Sequence, residues 1–452
     1  VDVEKLKNLI NRLGEWQYLG IAVIVTATLL LHLGLMMRPD EPLFDEVHYV
    51  NDARHAIDSG GTERAEHPPL GKLIVIAGMQ LFGDNAVGWR LFAILMGTAS
   101  LVFFYLICRR LKLNEKVCYL AVFFLAFENL TFVQNHLAML DVFCQFFLLL
   151  AFWMYLRGSF PLSAVALALA VLAKLNGALG ALVIGMHWLL VRCPNWKKFI
   201  PSYLLAPVAF LALLAIFEYP YWGELLNPVT RTLEMLKSTG SITFGAYEPG
   251  GIATRPWMWV ISPVGIVYWW TPRVLGMLSP TLWVLIIPSV VYITWRSIKG
   301  DDAPLFPFAM FIGLYLVWIP ASVITNRASF IFYFYPVVPA VALAMGIVFG
   351  KLADISRRRM KGKLRTLLKI IIPLYVFAHL VTFIIMAPTS MWWSIPMCLT
   401  IFVFSFWYLG LGRTPYPVIE TADVTCVTEN DSSPEQPDNQ ASDESAISSD
   451  GG

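Results

Sequence analysis

The chain has 452 residues, 57% of them hydrophobic and only 14% charged, with a mean hydropathy of +0.63. Soluble domains carry about 25% charged residues, so this composition excludes an ordinary soluble enzyme and a disordered scaffold; with no basic domain, it also excludes a nucleic-acid binder. The net charge of +2 hides an asymmetry, because from Thr414 onward there are nine acids and no Lys or Arg, which leaves 33 basic against 22 acidic residues in the remainder.

Residues 1–17 form a charged amphipathic stretch carrying Glu4, Lys5, Lys7 and Arg12. The apolar run Tyr18–Met37 follows without a small-residue cleavage site, so it reads as a retained span rather than a signal peptide. A crossing helix needs about 20 apolar residues. Further runs are Val87–Cys108, Val117–Val133, Leu137–Leu156, Phe160–Ala173, Leu175–Val191, Phe199–Phe217, Pro280–Trp295, Leu305–Val323, Ala328–Gly350, Lys369–Ala387 and Trp392–Gly410. In lipid every backbone polar group must be paired within its own segment, so these runs are helices. The expected fold class is an all-α polytopic membrane protein with about 11–13 transmembrane helices, the short pair around Lys174 counting as one unit or two. The organisation expected is a transmembrane module over 18–217 that includes a first outer loop at 38–86, a second outer loop at 218–279, C-terminal helices over 280–410 and an acidic tail over 411–452. The tail is rich in Ser, Asp and Pro, cannot bury a core and is expected to be disordered.

Lys and Arg in short loops set orientation. Arg109, Arg110, Lys112 and Lys116, then Arg157, Arg192, Lys197 and Lys198, then Arg296, Lys299 and the Arg357–Arg365 cluster all fall on one side if the N-terminus is cytoplasmic. Both termini are then expected in the cytoplasm and both long polar loops outside. The six cysteines are scattered, show no metal spacing and read as buried small hydrophobes.

Ionisable groups inside spans are costly and point to function. Arg90, Glu128, Asp141, Lys174 and Glu218 all lie toward the outer ends of their spans. A transporter would place such groups near the midplane, whereas a site that meets a lipid head group would place them here. The first outer loop supplies Asp45-Glu46 before an amphipathic stretch through Ala56, then Glu66-His67-Pro68-Pro69-Leu70-Gly71-Lys72. Leu70–Phe82 reads as an interfacial helix, so the loop lies on the membrane surface.

Phe44-Asp45-Glu46-Val47-His48-Tyr49, His67-Pro68-Pro69-Leu70-Gly71-Lys72 and Gly88-Trp89-Arg90 together resemble the protein O-mannosyltransferase family, membrane enzymes of the glycosyltransferase C superfamily. Phe127-Glu128-Asn129, Ala138–Asp141, Lys174–Gly177, Arg255–Trp259 and Phe332–Pro336 resemble later stretches of the same family, so the likeness covers residues 18 to about 410. The second outer loop lacks the large soluble insert of eukaryotic members, which suits the short prokaryotic type and a prokaryotic cell membrane. Asn135-His136 departs from the Ser-Arg often found there.

The resemblance implies a polyprenyl- or dolichyl-phosphate-mannose donor, a Ser or Thr hydroxyl on an exported polypeptide as acceptor, and inversion at the anomeric carbon. Asp45 is the expected base, with Glu46 holding base or acceptor and the two roles exchangeable. Arg90 and Lys174, helped by Lys72, are expected on the departing phosphate. His67, Glu128 and Asp141 are supporting residues. No cofactor or metal is required, although Asp45, Glu46, Glu128 and Asp141 offer an oxygen set for a divalent cation. Two alternatives stand beside this reading: a lipid-phosphate-sugar transferase acting on a glycolipid or envelope polymer, and a transporter of a lipid-linked sugar. Family members are often paired, which leaves a dimer open.

Overall fold

The computed structural model describes residues 18–240, 242–244, 251–358 and 361–387. The amphipathic stretch at 1–17, the predicted span Trp392–Gly410 and the acidic tail lie outside the described residues.

The chain begins with α1 (Leu19–Leu35), crosses the first outer loop through α2 (Glu46–Ser59) and α3 (Pro69–Phe82), and continues in the long helix α4 (Ala86–Arg110). Asn85 starts α4 because its Oδ1 accepts from the backbone N–H of Val87 at 2.9 Å and of Gly88 at 3.3 Å. Next come α5 (Glu115–Ala126), α6 (Asn129–His136), α7 (Leu140–Leu156), α8 (Phe160–Ala173), α9 (Leu179–Leu190) and α10 (Trp196–Trp222). The second outer loop contains α11 (Pro228–Gly240), α12 (Met258–Ile261) and a hairpin of β1 (Gly265–Trp269) and β2 (Val274–Met277). The remaining helices are α13 (Pro280–Trp283), α14 (Ile286–Ile298), α15 (Leu305–Phe311), α16 (Trp318–Thr325), α17 (Val338–Arg358) and α18 (Gly362–Met386).

Among the described residues, six helices are long and apolar enough to cross a membrane, or seven if α5 and α6, bent by 63° at Phe127-Glu128, form one span. Each predicted span within the described residues falls on a helix, and α1, α7, α8 and Leu175–Leu190 are shorter than a full crossing. The helix Ile331–Arg358 is the most enclosed, with 83% of its apolar window buried, and so forms the centre of the bundle. Gly346 lets it approach α5, since a Cβ there would lie 2.9 Å from Ala121 Cβ and 3.1 Å from the Val117 carbonyl.

Two local breaks position the site. The segment around Lys174 is two helices: α8 stops at Ala173, Lys174 is extended (φ −158°, ψ 135°), and a 3-10 turn over Leu175–Ala178 starts the next helix. In the first long loop, Pro69 opens α3 at a position where its missing N–H costs nothing. The hairpin was not anticipated from the sequence. Cys108, Cys118 and Cys144 are buried and free, as expected of small hydrophobes; Cys193 is free but only partly buried, and Cys398 and Cys426 lie outside the described residues.

Candidate active site

The Asp45-Glu46 pair separates into two environments. Glu46 is completely buried. Its Oε1 accepts from Arg90 Nε at 3.0 Å and from the Ala138 N–H at 2.8 Å. Its Oε2 accepts from Arg90 Nη2 at 2.8 Å and from the Leu43 N–H at 3.0 Å. Arg90, also fully buried, donates from Nη1 to the carbonyls of Met36 (2.9 Å) and Pro39 (2.6 Å) and from Nη2 to that of Glu41 (2.7 Å). A guanidinium offers five N–H donors, and these contacts consume its three nitrogens. Arg90, expected on the donor phosphate, is part of the frame that ties the first long loop to α4 and to Ala138, just before α7. Glu46 belongs to the same frame, its two carboxylate oxygens engaged by Arg90 and by the Leu43 and Ala138 N–H groups.

Asp45 is only partly buried, and its carboxylate has no hydrogen bond or ion pair among the described residues. Its main chain is fixed, because its carbonyl accepts from the N–H groups of His48 at 3.0 Å and Tyr49 at 3.4 Å at the start of α2. Burial pushes the carboxyl up to about 6; Lys174 pulls it down, Asp141 pushes it up and Arg64 pulls it down. An unpaired carboxylate with this affinity for a proton is suited to act as a base near neutral pH.

Lys174 Nζ donates to Asp141 Oδ2 at 2.7 Å and lies over the rings of Phe332 (5.4 Å) and Tyr333 (5.6 Å). Arg64 acts electrostatically on the Asp45 carboxylate and donates from Nη2 to His48 Nδ1 at 2.7 Å. Sequence reasoning missed Arg64; its place three residues before His67 was the available signal. His67 packs its ring edge-on against Tyr49. Burial first, and then Lys174, Lys72, Arg64 and Arg327, hold its imidazole down to about 3, so it is neutral throughout the physiological range. Electrostatics thus link Asp45 to Lys174, Asp141 and Arg64, and His67 to Lys174, Lys72, Arg64 and Arg327.

Lys72 is tied into the loop before α3. It is 2% exposed and donates to Thr62 Oγ1 at 2.6 Å and to the Arg64 carbonyl at 2.9 Å, with Asp52 Oδ2 at 3.5 Å. Asp52, which the sequence did not single out, accepts from Thr62 Oγ1 (2.8 Å) and from the N–H groups of Glu63 (2.6 Å) and Arg64 (3.0 Å). Lys72 and Asp52 therefore shape the turn that presents Arg64, and Lys72, with its Nζ engaged in that turn, acts on His67 electrostatically. Glu128 caps α6 by accepting from Thr131 N–H at 2.6 Å and holds the end of the hairpin by accepting from Ser279 N–H at 2.8 Å. With Glu46 and Glu128 both saturated in this way, the four acids considered for a divalent cation are not gathered, and no cluster of three or more metal-ligating side chains occurs among the described residues.

A sequence model described as dolichyl-phosphate-mannose-protein mannosyltransferase matches residues 22–226. The polyprenol-phosphate-mannose–protein mannosyltransferase of Mycobacterium tuberculosis is 24% identical, with 82% of this chain and 87% of that protein covered. That of Corynebacterium glutamicum is 23% identical, with 76% and 84% covered. Among solved structures, the Saccharomyces cerevisiae protein O-mannosyltransferase Pmt1-Pmt2 complex bound to the sugar donor superposes with a TM-score of 0.64 at 12% identity, over 81% of this chain and 89% of that one. ArnT from Cupriavidus metallidurans bound to undecaprenyl phosphate gives 0.52 at 16% identity, over 88% and 76%. The fold is that of the C-type membrane glycosyltransferases. In sequence the chain is similar to protein O-mannosyltransferases, through the family match over residues 22–226 and through relatives at 22–24% identity over most of its length.

Proposed function

We propose that this protein transfers mannose from a polyprenyl or dolichyl phosphate to Ser or Thr hydroxyls of exported polypeptides, at the outer face of a prokaryotic cell membrane. The observation that carries the reading is the unpaired, partly buried Asp45 carboxylate set among Lys174, Arg64 and His67. The likeness to the family model and the names of the relatives support the donor and the protein acceptor.

Asp45 takes the acceptor hydroxyl proton as the oxygen forms its bond to the anomeric carbon. The bond from that carbon to the phosphate oxygen breaks with inversion, and the phosphate leaves with the electron pair. Because a lipid phosphate is already a competent leaving group, no second carboxylic acid is needed, in contrast to a glycosidase. Its charge is met by Lys174 and Arg64, without a metal. Neutral His67 can exchange a hydrogen bond with donor or acceptor without adding charge.

Purified protein incubated with labelled polyprenyl phosphate mannose and a Ser/Thr-containing peptide should yield peptide carrying hexose on a hydroxyl, read by mass spectrometry. Label recovered only in lipid would replace this reading by transfer to a glycolipid. Lys174→Gln in the same assay should lower kcat/KM for the donor by about 10²–10³-fold, the usual loss when a charge aimed at a developing anion is removed. A parent-like value would take Lys174 out of the site.

A further inference from the structure

The residue before the base has an unusual backbone. Phe44 sits at φ 51°, in the left-handed region that a bulky aromatic residue rarely adopts. Such a conformation persists only where the surroundings enforce it. Here the Phe44 ring stacks on Tyr268 with centroids 4.2 Å apart and planes 3° from parallel, and it meets Phe332 edge-on at 5.7 Å.

Tyr268 is held by independent devices. It is the extra residue of a β-bulge: Val267 pairs with Leu275 and Trp269 with Val274, so Tyr268 has no partner across the hairpin. Bulges re-aim a side chain, often beside an active site. Its hydroxyl accepts from Gln134 Nε2 at 2.8 Å. Across the hairpin, Gly276 makes room for the ring, since a Cβ there would lie 2.4 Å from Tyr268 Cζ. The hairpin is in turn anchored to α6, where Asn129 Nδ2 donates to the carbonyls of Leu275 (2.7 Å) and Met277 (2.9 Å). These bonds brace the second outer loop directly against the residue adjoining Asp45.

We propose that Tyr268 is a positioning residue: its ring, seated at the hairpin bulge, holds Phe44 and through it the Asp45 carboxylate in line with the acceptor hydroxyl. The inference rests on Asp45 being the base. It assigns the small hairpin of the second outer loop a part in proton transfer that its distance in sequence conceals. Tyr268 itself touches neither donor nor acceptor in this role.

The test uses the full-length protein. Tyr268→Ala should lower kcat by about 10–100-fold, as expected for a displaced reacting group, with the donor KM within about threefold of the parent, since ground-state binding is not its task. Gly276→Ala should reproduce this loss by pushing the ring from its seat. Tyr268→Phe keeps the ring and gives up only the hydroxyl contact to Gln134, so it should recover most of the rate lost in the Ala variant.

The pH profile separates positioning from a general loss of fold. The charged and titratable groups acting on Asp45 are Lys174, Asp141 and Arg64, with Tyr49 on α2 and Tyr268 on the hairpin. Removing the Tyr268 ring lets water reach the carboxylate, so the acid limb of kcat/KM should move to lower pH in Tyr268→Ala. A variant that merely unfolds in part would lose amplitude with the limb unmoved. Parent-like kcat in both Tyr268→Ala and Gly276→Ala, or a loss with an unmoved acid limb, overturns the proposal. If Asp45→Asn is inactive while these two variants are normal, positioning alone has failed. If Asp45→Asn is active, the base itself was misassigned.

Discussion

Asp45→Asn should reduce mannose transfer by about 10²–10⁴-fold, the range a general base contributes, with donor binding retained. The substitution preserves shape and removes only the proton acceptor. Because the Asp45 carboxylate has no hydrogen bond or ion pair among the described residues, no internal bond is broken by the exchange. The parent's acid limb follows from the same environment. Burial raises the carboxyl to about 6 against the pull of Lys174 and Arg64, so kcat/KM should rise with pH through about 6 and then level off. The stability consequence has the opposite sign. A carboxyl whose folded pKa exceeds its unfolded value of about 3.9 binds more protons in the native state, so its contribution to stability is lost as pH rises from there to about 6. At pH 7.5 the Asn variant, which cannot ionise, should therefore melt no lower than the parent. An Asn variant that is as fast as the parent in the purified assay would remove Asp45 from the chemistry. One that is inactive but also strongly destabilised would mean that the carboxylate is structural.

The helices were legible because lipid imposes a simple rule: a long apolar run in a bilayer must be a helix. That rule places α4, α10, α17 and α18 from composition alone. The gathering of charge at one end was legible as well, since the depth of Lys174 and Asp141 could be read from their spans, and they do meet. The division of labour within the cluster was not. Asp45 and Glu46 are neighbours of nearly identical chemistry, yet the start of α2 turns one outward and the other into the contact with Arg90. Sequence spacing carries no information about which of two adjacent carboxylates will be saturated. For the same reason Arg90 and Lys72 read as available cations: their partners at Met36, Pro39, Glu41 and Arg64 are backbone carbonyls, which every sequence has and none advertises. The hairpin escaped notice because Ile266–Trp269 and Val274–Met277 are too short and too apolar to stand out from a membrane interface rich in aromatic residues.

Arg90→Met should destabilise the folded protein by about 3–5 kcal/mol, the usual cost of leaving one partner of a buried ion pair without the other. The loss has two parts in this structure. Glu46 keeps its bonds from the Leu43 and Ala138 N–H groups but has no countercharge, and the carbonyls of Met36, Pro39 and Glu41 lose their donor. Had Arg90 gripped the donor phosphate instead, its replacement would raise the donor KM and leave the melting temperature alone. The two assignments are therefore separated by measuring thermal stability and donor KM on the same preparation. A double variant, Glu46→Met with Arg90→Met, sharpens the distinction. Replacing a whole buried pair by apolar side chains of similar volume is often neutral or stabilising, so the double variant should recover part of the melting temperature lost in Arg90→Met. Activity should not return with it. The Glu46 carboxylate accepts from the Leu43 and Ala138 N–H groups, and without it the loop loses the register that aims the base. Recovery of both stability and rate in the double variant would show that the pair serves folding alone.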